Sequence, residues 1–163
     1  SNALVFDHPK KHISRRALGY TKNGEQYQAS SSPLNTHGDG GIYLDMEDML
    51  AFEHGLIAGD RLTQTMQSRA YSVGKHPVGS NEFNQADTSN DHSYGLGWVV
   101  SKSAAGKVVH HGGGWHDSHT YYSRYLDQGI SVATFSARPD LGTNRLHKEV
   151  VELALEHCGN AGT

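Results

Sequence analysis

The sequence predicts an α+β domain in which an antiparallel meander of about four strands packs against a C-terminal helix and N-terminal helices. Three observations lead to this prediction. Residues 93–138 hold short runs rich in Val, Tyr and Thr that are separated by glycine-containing turns, and residues 45–58 and 144–158 each carry apolar side chains at helical spacing. The length of 163 residues is enough for one domain with its own core.

The first part of the chain, residues 4–40, is predicted to be irregular. Asn23-Gly24 and Ser30–Pro33 are turn signals, and no apolar periodicity joins them. Because so long an irregular segment is uncommon in a compact domain, we expect it to lie against another part of the protein or to be partly mobile. Residues 1–3 match the remnant of a cleaved expression tag and are left out of the fold prediction.

Two helices are predicted next. In the first, residues 45–58, Asp45 is the expected cap and Gly59 the expected end. The apolar stripe of this helix comprises Met46, Met49, Leu50, Leu56 and Ile57. The second helix is predicted at residues 60–70, capped by Asp60 and followed by a polar loop. Its inward-facing residues are expected to be Leu62 and Met66.

The four strands and the last helix complete the prediction. The strands are expected at 93–102, 107–111, 118–126 and 130–138, with turns at 104–106, 112–114 and 127–129. Pro139 and Gly142 end the sheet. The helix at 144–158 is expected to bury Leu146, Val150, Leu153 and Ala154 and to expose its glutamates.

Composition excludes several classes of function. The formal net charge is −3 and the basic pairs lie near the chain start, so no nucleic-acid surface is expected. No apolar run is long enough to span a bilayer, so no membrane segment is expected in this chain. The single cysteine, Cys158, excludes an intrachain disulfide, and the cellular compartment is not determined.

The segment Val108–Trp115 is the candidate site. A strand that ends in His111 and continues into Gly112, Gly113 and Gly114 lets a ligand approach main-chain N–H groups, because glycine has no side chain. Such N–H groups can stabilise an oxyanion, and a histidine supplies a polar or proton-carrying group beside them. Trp115 neighbours the glycine run and is a candidate substrate contact.

His111-Gly112-Gly113 resembles the His-x-Gly form of the third motif of the class C β-lactamase and penicillin-binding-protein-like serine hydrolases. Other segments resemble the same family, in the family's order: Gly40–Tyr43, Met46–Met49, Tyr94–Trp98, Ser131–Ala133 and Ser136–Arg138. The resemblance covers about residues 17–156. It implies a β-lactamase/transpeptidase-like fold, of which residues 4–163 are the C-terminal part.

The resemblance also implies an acyl-enzyme mechanism without a cofactor, acting on a small acyl substrate such as a β-lactam, a D-amino-acid peptide or an ester. His111 would then lie on the active-site strand and the N–H of Gly114 in the oxyanion hole. The His-x-Gly form favours an esterase or peptidase. A non-catalytic binding module on the same fold remains an alternative.

The sequence departs from the family in its other motifs. Neither Tyr-x-Asn nor Ser-x-Asn occurs, and the one Ser-x-x-Lys, Ser72–Lys75, contains the helix-weakening Gly74 and follows the helices. Asp117 stands where the family usually has glycine. We therefore expect this chain alone to be inactive. Because the family's N-terminal strands complete the sheet, we also expect it to self-associate, by edge pairing or by exchange of residues 4–40.

Further side chains admit two interpretations. A zinc site is a weaker alternative for the histidine cluster, since the spacing is not that of a helical metal motif and strand neighbours point to opposite faces. The members of that cluster are His110, His111, His116 and His119. The aromatic residues of the strands are expected to be structural, Trp115 excepted, and Arg124 is expected to form an ion pair at the surface or a strand edge.

Overall fold

Five antiparallel strands that follow one another in the chain form the main sheet of the protein. The computed structural model describes residues 16–30, 40–59, 64–72, 93–115 and 117–158. The strands are β1 Gly19–Asn23, β2 Gln26–Ser30, β3 Ser93–Tyr94, β4 Val99–Ser103, β5 Gly106–Trp115, β6 Ser118–Tyr125 and β7 Ile130–Ser136. The helices are α1 Met46–Ala58, α2 Gln64–Ala70 and α3 Thr143–Cys158, with a 3₁₀ turn at Pro139–Leu141. The main sheet has the order β3-β4-β5-β6-β7, which confirms the predicted α+β meander.

Two strand boundaries differ from the prediction. The expected strand 93–102 is divided into β3 and β4 by a turn in which Gly95 donates to the carbonyl of Trp98 and Gly97 has φ 76°. The expected turn at 112–114 is wrong, because β5 continues through the glycines and pairs with β6 as far as Trp115. The strand-forming residues of β6 hold the glycines in the ladder, and the chain reverses only after Trp115.

The prediction that residues 4–40 are irregular is wrong for residues 19–30, which form the hairpin β1–β2. Gly24, with φ 62°, makes the turn that Asn23-Gly24 signals. These strands show no alternation of apolar and polar residues in the sequence, because nearly all their side chains are exposed. Tyr20 N–H donates to the carbonyl of Ala137 at 2.8 Å, so the hairpin meets the chain just past the end of β7.

The predicted ends of α1 are confirmed. The carboxylate of Asp45 accepts from the N–H of Asp48 at 2.9 Å, and Gly59 adopts the left-handed conformation at φ 77°. Within the expected stripe only Met49 and Leu56 are buried. The second helix begins at Gln64 and exposes Met66, whereas Asp60 and Leu62 lie outside the described residues.

Helix α3 buries a different side from the one predicted. Thr143, His147 and Val151 face the sheet, while Leu146, Val150 and Leu153 are exposed. The polar residue His147 is buried because Ser123 on β6 and Thr134 on β7 supply hydrogen bonds to its two ring nitrogens at 2.8 and 3.1 Å.

Helices cover both faces of the sheet. The face that packs on α3, called the α3 face, carries His110, Tyr121 and Ser123. The opposite face, called the α1 face, carries the core of the domain; its buried members are Ala70, Tyr71, Val100 and Val109, with Trp98 and Leu126 packed against them. None of the helices among the described residues is long and apolar enough to cross a membrane.

Candidate functional site

His111 and Tyr94 meet at an exposed end of the main sheet. The hydroxyl of Tyr94 lies 2.9 Å from Nε2 of His111, and the two rings are in edge contact with centroids 5.9 Å apart. Nδ1 of His111 lies 2.7 Å from the carbonyl oxygen of Gly112. A carbonyl only accepts, so Nδ1 carries a proton, and in the Nδ1–H tautomer Nε2 accepts from the Tyr94 hydroxyl.

The register of the meander places this pair where β4 ends. Tyr94 is opposite Val99 on β4, and Val99 is opposite His110 on β5. Tyr94 and His111 are thus two strands apart, on neighbouring rungs of the ladder. Sequence analysis quoted Tyr94 within Tyr94–Trp98 and assigned it no role, because its contact with His111 depends on where the turn at 95–98 falls.

The glycine run has one open edge. Along β5 the main-chain groups of alternate residues point to the same side. The carbonyl of Lys107 accepts from Leu126 N–H, so the groups of Lys107, and with them those of His111 and Gly113, point to β6. The groups of Gly112 and Gly114 point to the side of β4, which ends opposite His110. Within the described residues no strand covers Gly112 and Gly114 on that side.

The side chains around this open edge leave a gap between His111 and Trp115. Both project on the α1 face, with Gly113 between them. A Cβ on Gly113 would lie 2.6 Å from Oγ1 of Thr120, so a side chain there would require the Thr120 hydroxyl to move. Trp115 is partly exposed beside the gap. The arrangement presents main-chain donors and acceptors, an imidazole and an indole to one side of the strand.

A buried ion pair supports the strand from the α1 face. Glu53 of α1 accepts from Arg124 Nε and Nη2 at 3.1 and 3.0 Å and from the hydroxyl of Ser131 at 2.9 Å. Tyr122, the neighbour of His111 on β6, donates to the same carboxylate. Burial, followed by the hydrogen bond to Glu53, raises the pKa of Tyr122, so its hydroxyl stays protonated. The expectation that Arg124 lies at the surface or a strand edge is wrong, because Arg124 is buried.

A second polar cluster occupies the α3 face. His110 Nε2 lies 2.9 Å from the Ser101 hydroxyl and its Nδ1 lies 2.8 Å from the Tyr121 hydroxyl. The Tyr121 ring contacts that of His147 with centroids 4.5 Å apart. Burial raises the pKa of Tyr121 to about 12 and lowers that of His147 to about 4. Within the described ranges no three potential ligands lie close enough to hold a metal ion, and His116 lies outside those ranges.

The remaining sequence candidates lie elsewhere. Ser72 follows α2 in a turn and donates to the carbonyl of Arg69 at 2.6 Å, while Lys75 lies outside the described residues. Asp117 is buried at the end of the sheet, where β1 approaches so closely that a Cβ on Gly19 would lie 2.3 Å from Asp117 Cβ. The hairpin β1–β2 therefore contacts the chain at Asp117, the position at which the family usually has glycine.

Comparison with known proteins gives two findings. Residues 2–156 match the family model described as Beta-lactamase. Penicillin-binding protein 4* of Bacillus subtilis (strain 168) is 27% identical over 121 residues, which are 74% of this chain and 24% of that protein. The chain therefore spans about a quarter of the length of this curated relative.

Proposed function

The chain belongs to the beta-lactamase family, and from that premise we propose that it supplies the substrate-binding strand of a serine hydrolase with an acyl-enzyme mechanism. The observation that carries the proposal is the open edge of β5, where the main-chain groups of Gly112 and Gly114 face away from β6 beside an oriented His111. On this proposal residues 4–163 form the C-terminal part of the β-lactamase-like domain.

Each group on the open edge has a role in this proposal. The N–H of Gly114 donates to the oxyanion that develops when a serine attacks the acyl carbon. The carbonyl of Gly112 accepts a hydrogen bond from Nδ1–H of His111, which fixes the ring. Nε2 of His111 receives a hydrogen bond from Tyr94, which positions the imidazole that exchanges protons with the reacting groups. Trp115 packs on the substrate.

The substrate class follows from the donors and acceptors on the strand. Main-chain N–H and C=O groups on a free strand edge bind an acyl compound in an extended conformation, such as a D-amino-acid peptide, a β-lactam or an ester. Among the described residues beside Gly112 and Gly114, the side chains of His111 and Trp115 offer an imidazole and an indole and no ammonium for a substrate carboxylate. We therefore favour peptide or ester substrates.

The nucleophile is proposed to come from a longer form of the protein, since Ser72 is bonded in a turn after α2. The first test has two parts. We expect the chain of 163 residues to release no product from nitrocefin or p-nitrophenyl acetate above background. Turnover that Ser72→Ala abolishes would contradict the assignment and return the nucleophile to Ser72.

The second part uses the protein expressed from its whole reading frame. His111→Ala is expected to lower the acylation rate by about 10²-fold, since loss of one active-site polar partner typically costs that much. His157→Ala is the matched control, because His157 is exposed near the end of α3 on the other face of the sheet. Acylation unchanged by His111→Ala would remove His111 from the site. Ligand binding without any acylation would favour the non-catalytic binding module.

A further inference from the structure

Gly19 of the hairpin β1–β2 packs directly on Asp117. A Cβ on Gly19 would lie 2.3 Å from Asp117 Cβ and 2.6 Å from the main-chain oxygen of Asp117, much closer than non-bonded atoms approach. The φ angle of Gly19 is not positive, so space and not backbone conformation requires glycine here. Asp117 itself is only 5% exposed. The two residues form one tight steric contact, called here the Gly19–Asp117 contact.

The Gly19–Asp117 contact lies at the end of β5 that carries the candidate site. Trp115 is paired with Ser118, so the chain reverses between these two residues, and Asp117 lies in the reversal. Trp115 projects on the α1 face beside the gap and is 38% exposed. Because Asp117 is only two residues further along the chain, fixing Asp117 limits where the indole of Trp115 can lie.

The hairpin β1–β2 is anchored at this end of the sheet by contacts that do not involve Asp117. Tyr20 N–H donates to the carbonyl of Ala137 at 2.8 Å. The hydroxyl of Tyr27 donates to the carboxylate of Asp140 at 2.7 Å, and the guanidinium of Arg138 lies over the Tyr27 ring, 3.9 Å from its centroid. Since both strands of the hairpin are held in this way, Gly19 presents a fixed surface to the turn between β5 and β6.

In the proposed function, Trp115 lies on the acyl side of the bond that is cleaved. The N–H of Gly114 binds the oxyanion, and His111 exchanges protons with the reacting groups. The leaving group takes up a proton as it departs, so it lies toward His111, and the acyl group extends the other way along β5, toward Trp115. An indole beside the acyl group discriminates between substrates only when it is held in place, because small displacements forfeit much of the contact energy.

We propose that the Gly19–Asp117 contact positions Trp115 and thereby determines which acyl groups the site accepts. Asp117 is a positioning residue, since it acts through Trp115. The preferred substrates carry an apolar acyl group that is large enough to reach the indole, such as phenylacetyl, and acetyl compounds are poorer substrates. This inference rests on the proposed function and adds to it the part of the substrate that is recognised.

The test compares p-nitrophenyl phenylacetate with p-nitrophenyl acetate, which share a leaving group, in the protein expressed from its whole reading frame. After division by the rates of spontaneous hydrolysis, we expect kcat/KM to favour the phenylacetyl ester by about tenfold or more, as apolar contacts typically do. Trp115→Ala is expected to abolish this preference. Asp117→Gly is expected to lower it by about fivefold or more. Adding Asp117→Gly to Trp115→Ala is expected to change the preference no further, because both substitutions remove the same contact.

Matched variants separate positioning from a general loosening of the sheet. Asp117→Asn keeps the shape of the side chain and is expected to keep the preference. Gly19→Ala breaks the contact from the hairpin side and is expected to act as Asp117→Gly does, so it serves in its place if Asp117→Gly fails to fold. Asp127→Gly is the control and is expected to keep the preference. Asp127 likewise meets a glycine, Gly106, but at the other end of β5.

Several outcomes would overturn the proposal. One is an unmodified protein that turns over both esters without preference, and another is a preference that survives both Asp117→Gly and Gly19→Ala. An equal loss in Asp127→Gly would show general loosening, and an equal loss in Asp117→Asn would assign the effect to charge. Failure of the proposed function is distinguishable from all of these, because the unmodified protein would then be acylated by neither ester, and this inference would fall with it.

Discussion

The hydrogen-bond partners of His111 determine which ring nitrogen carries the proton. Because the Gly112 carbonyl 2.7 Å from Nδ1 is an acceptor, Nδ1 is protonated, and in this tautomer Nε2 accepts from Tyr94. The ring therefore has a defined tautomer and orientation before any substrate arrives. Tyr94 is a positioning residue in this arrangement, since it acts through His111.

This assignment predicts the effect of Tyr94→Phe. We expect long-range ¹H–¹⁵N spectra of the unmodified protein, at a pH where the ring is neutral, to show the proton of His111 on Nδ1. In Tyr94→Phe the Nε2–H form gains population, because Nε2 has lost its donor. Tyr20→Phe removes an exposed hydroxyl from the hairpin β1–β2 and serves as the control. An Nε2–H tautomer in the unmodified protein would contradict the assignment.

At the scale of elements, the contact between α1 and the sheet centres on one carboxylate. Glu53 faces Arg124, Ser131 and Tyr122, which belong to two strands, and Arg124 also donates to the hydroxyl of Tyr71. A cavity of about 170 Å³ adjoins this pair and is also lined by Ile57 and Ile130. Tyr122 is the cross-strand neighbour of His111, so the cluster around Glu53 adjoins the candidate site.

Breaking this pair on one side is predicted to be costly. Arg124→Met leaves the carboxylate of Glu53 buried without its cation, and the free energy of unfolding is expected to fall by about 3–5 kcal/mol in urea titrations. Combining it with Glu53→Leu is expected to restore part of the loss, since both charges are then gone. The control is Arg145→Met, which breaks an exposed pair with Glu149 and changes stability by about 0.5 kcal/mol or less. Equal losses in Arg124→Met and the double variant would refute the interpretation.

At the scale of the whole molecule, local signals predicted the elements and tertiary contacts decided the rest. Asp45, Gly59 and the Val- and Tyr-rich runs act through neighbouring residues, so the ends of α1 and the meander were predictable. The inner side of α3 was not, because His147 is buried through bonds to two strands that the sequence does not show as neighbours.

The candidate site was likewise predictable from the sequence only in part. The glycine run and His111 were recognisable as a motif, and the structure places them consecutively on β5. The open edge beside Gly112 and Gly114, and the approach of Tyr94, depend on the register between three strands and on the turn at 95–98. No local pattern in the sequence distinguishes Glu53 from other charged residues, and its distance to Arg124 identifies it as a buried partner.

The dependence of the domain's stability on acid pH tests whether His147 is buried as a neutral imidazole on the α3 face. Burial holds the pKa of His147 at about 4, below its value of about 6.5 in an unfolded chain. The folded state therefore binds this proton less readily than the unfolded state. The stabilising effect of neutral His147 is complete above pH 6.5 and is lost as the pH falls from about 6.5 to 4. The loss amounts to about 3 kcal/mol.

We expect the free energy of unfolding, followed by urea titration at several pH values, to decline over this window. His147→Gln keeps a hydrogen-bonding side chain without a titrating group, so its decline between pH 6.5 and 4 is expected to be shallower by most of that amount. His54→Gln is the control, because His54 is exposed on α1. Parallel pH profiles for the unmodified protein and His147→Gln would mean that His147 binds its proton equally in both states. The packing of α3 on β6 and β7 through a neutral imidazole would then be wrong.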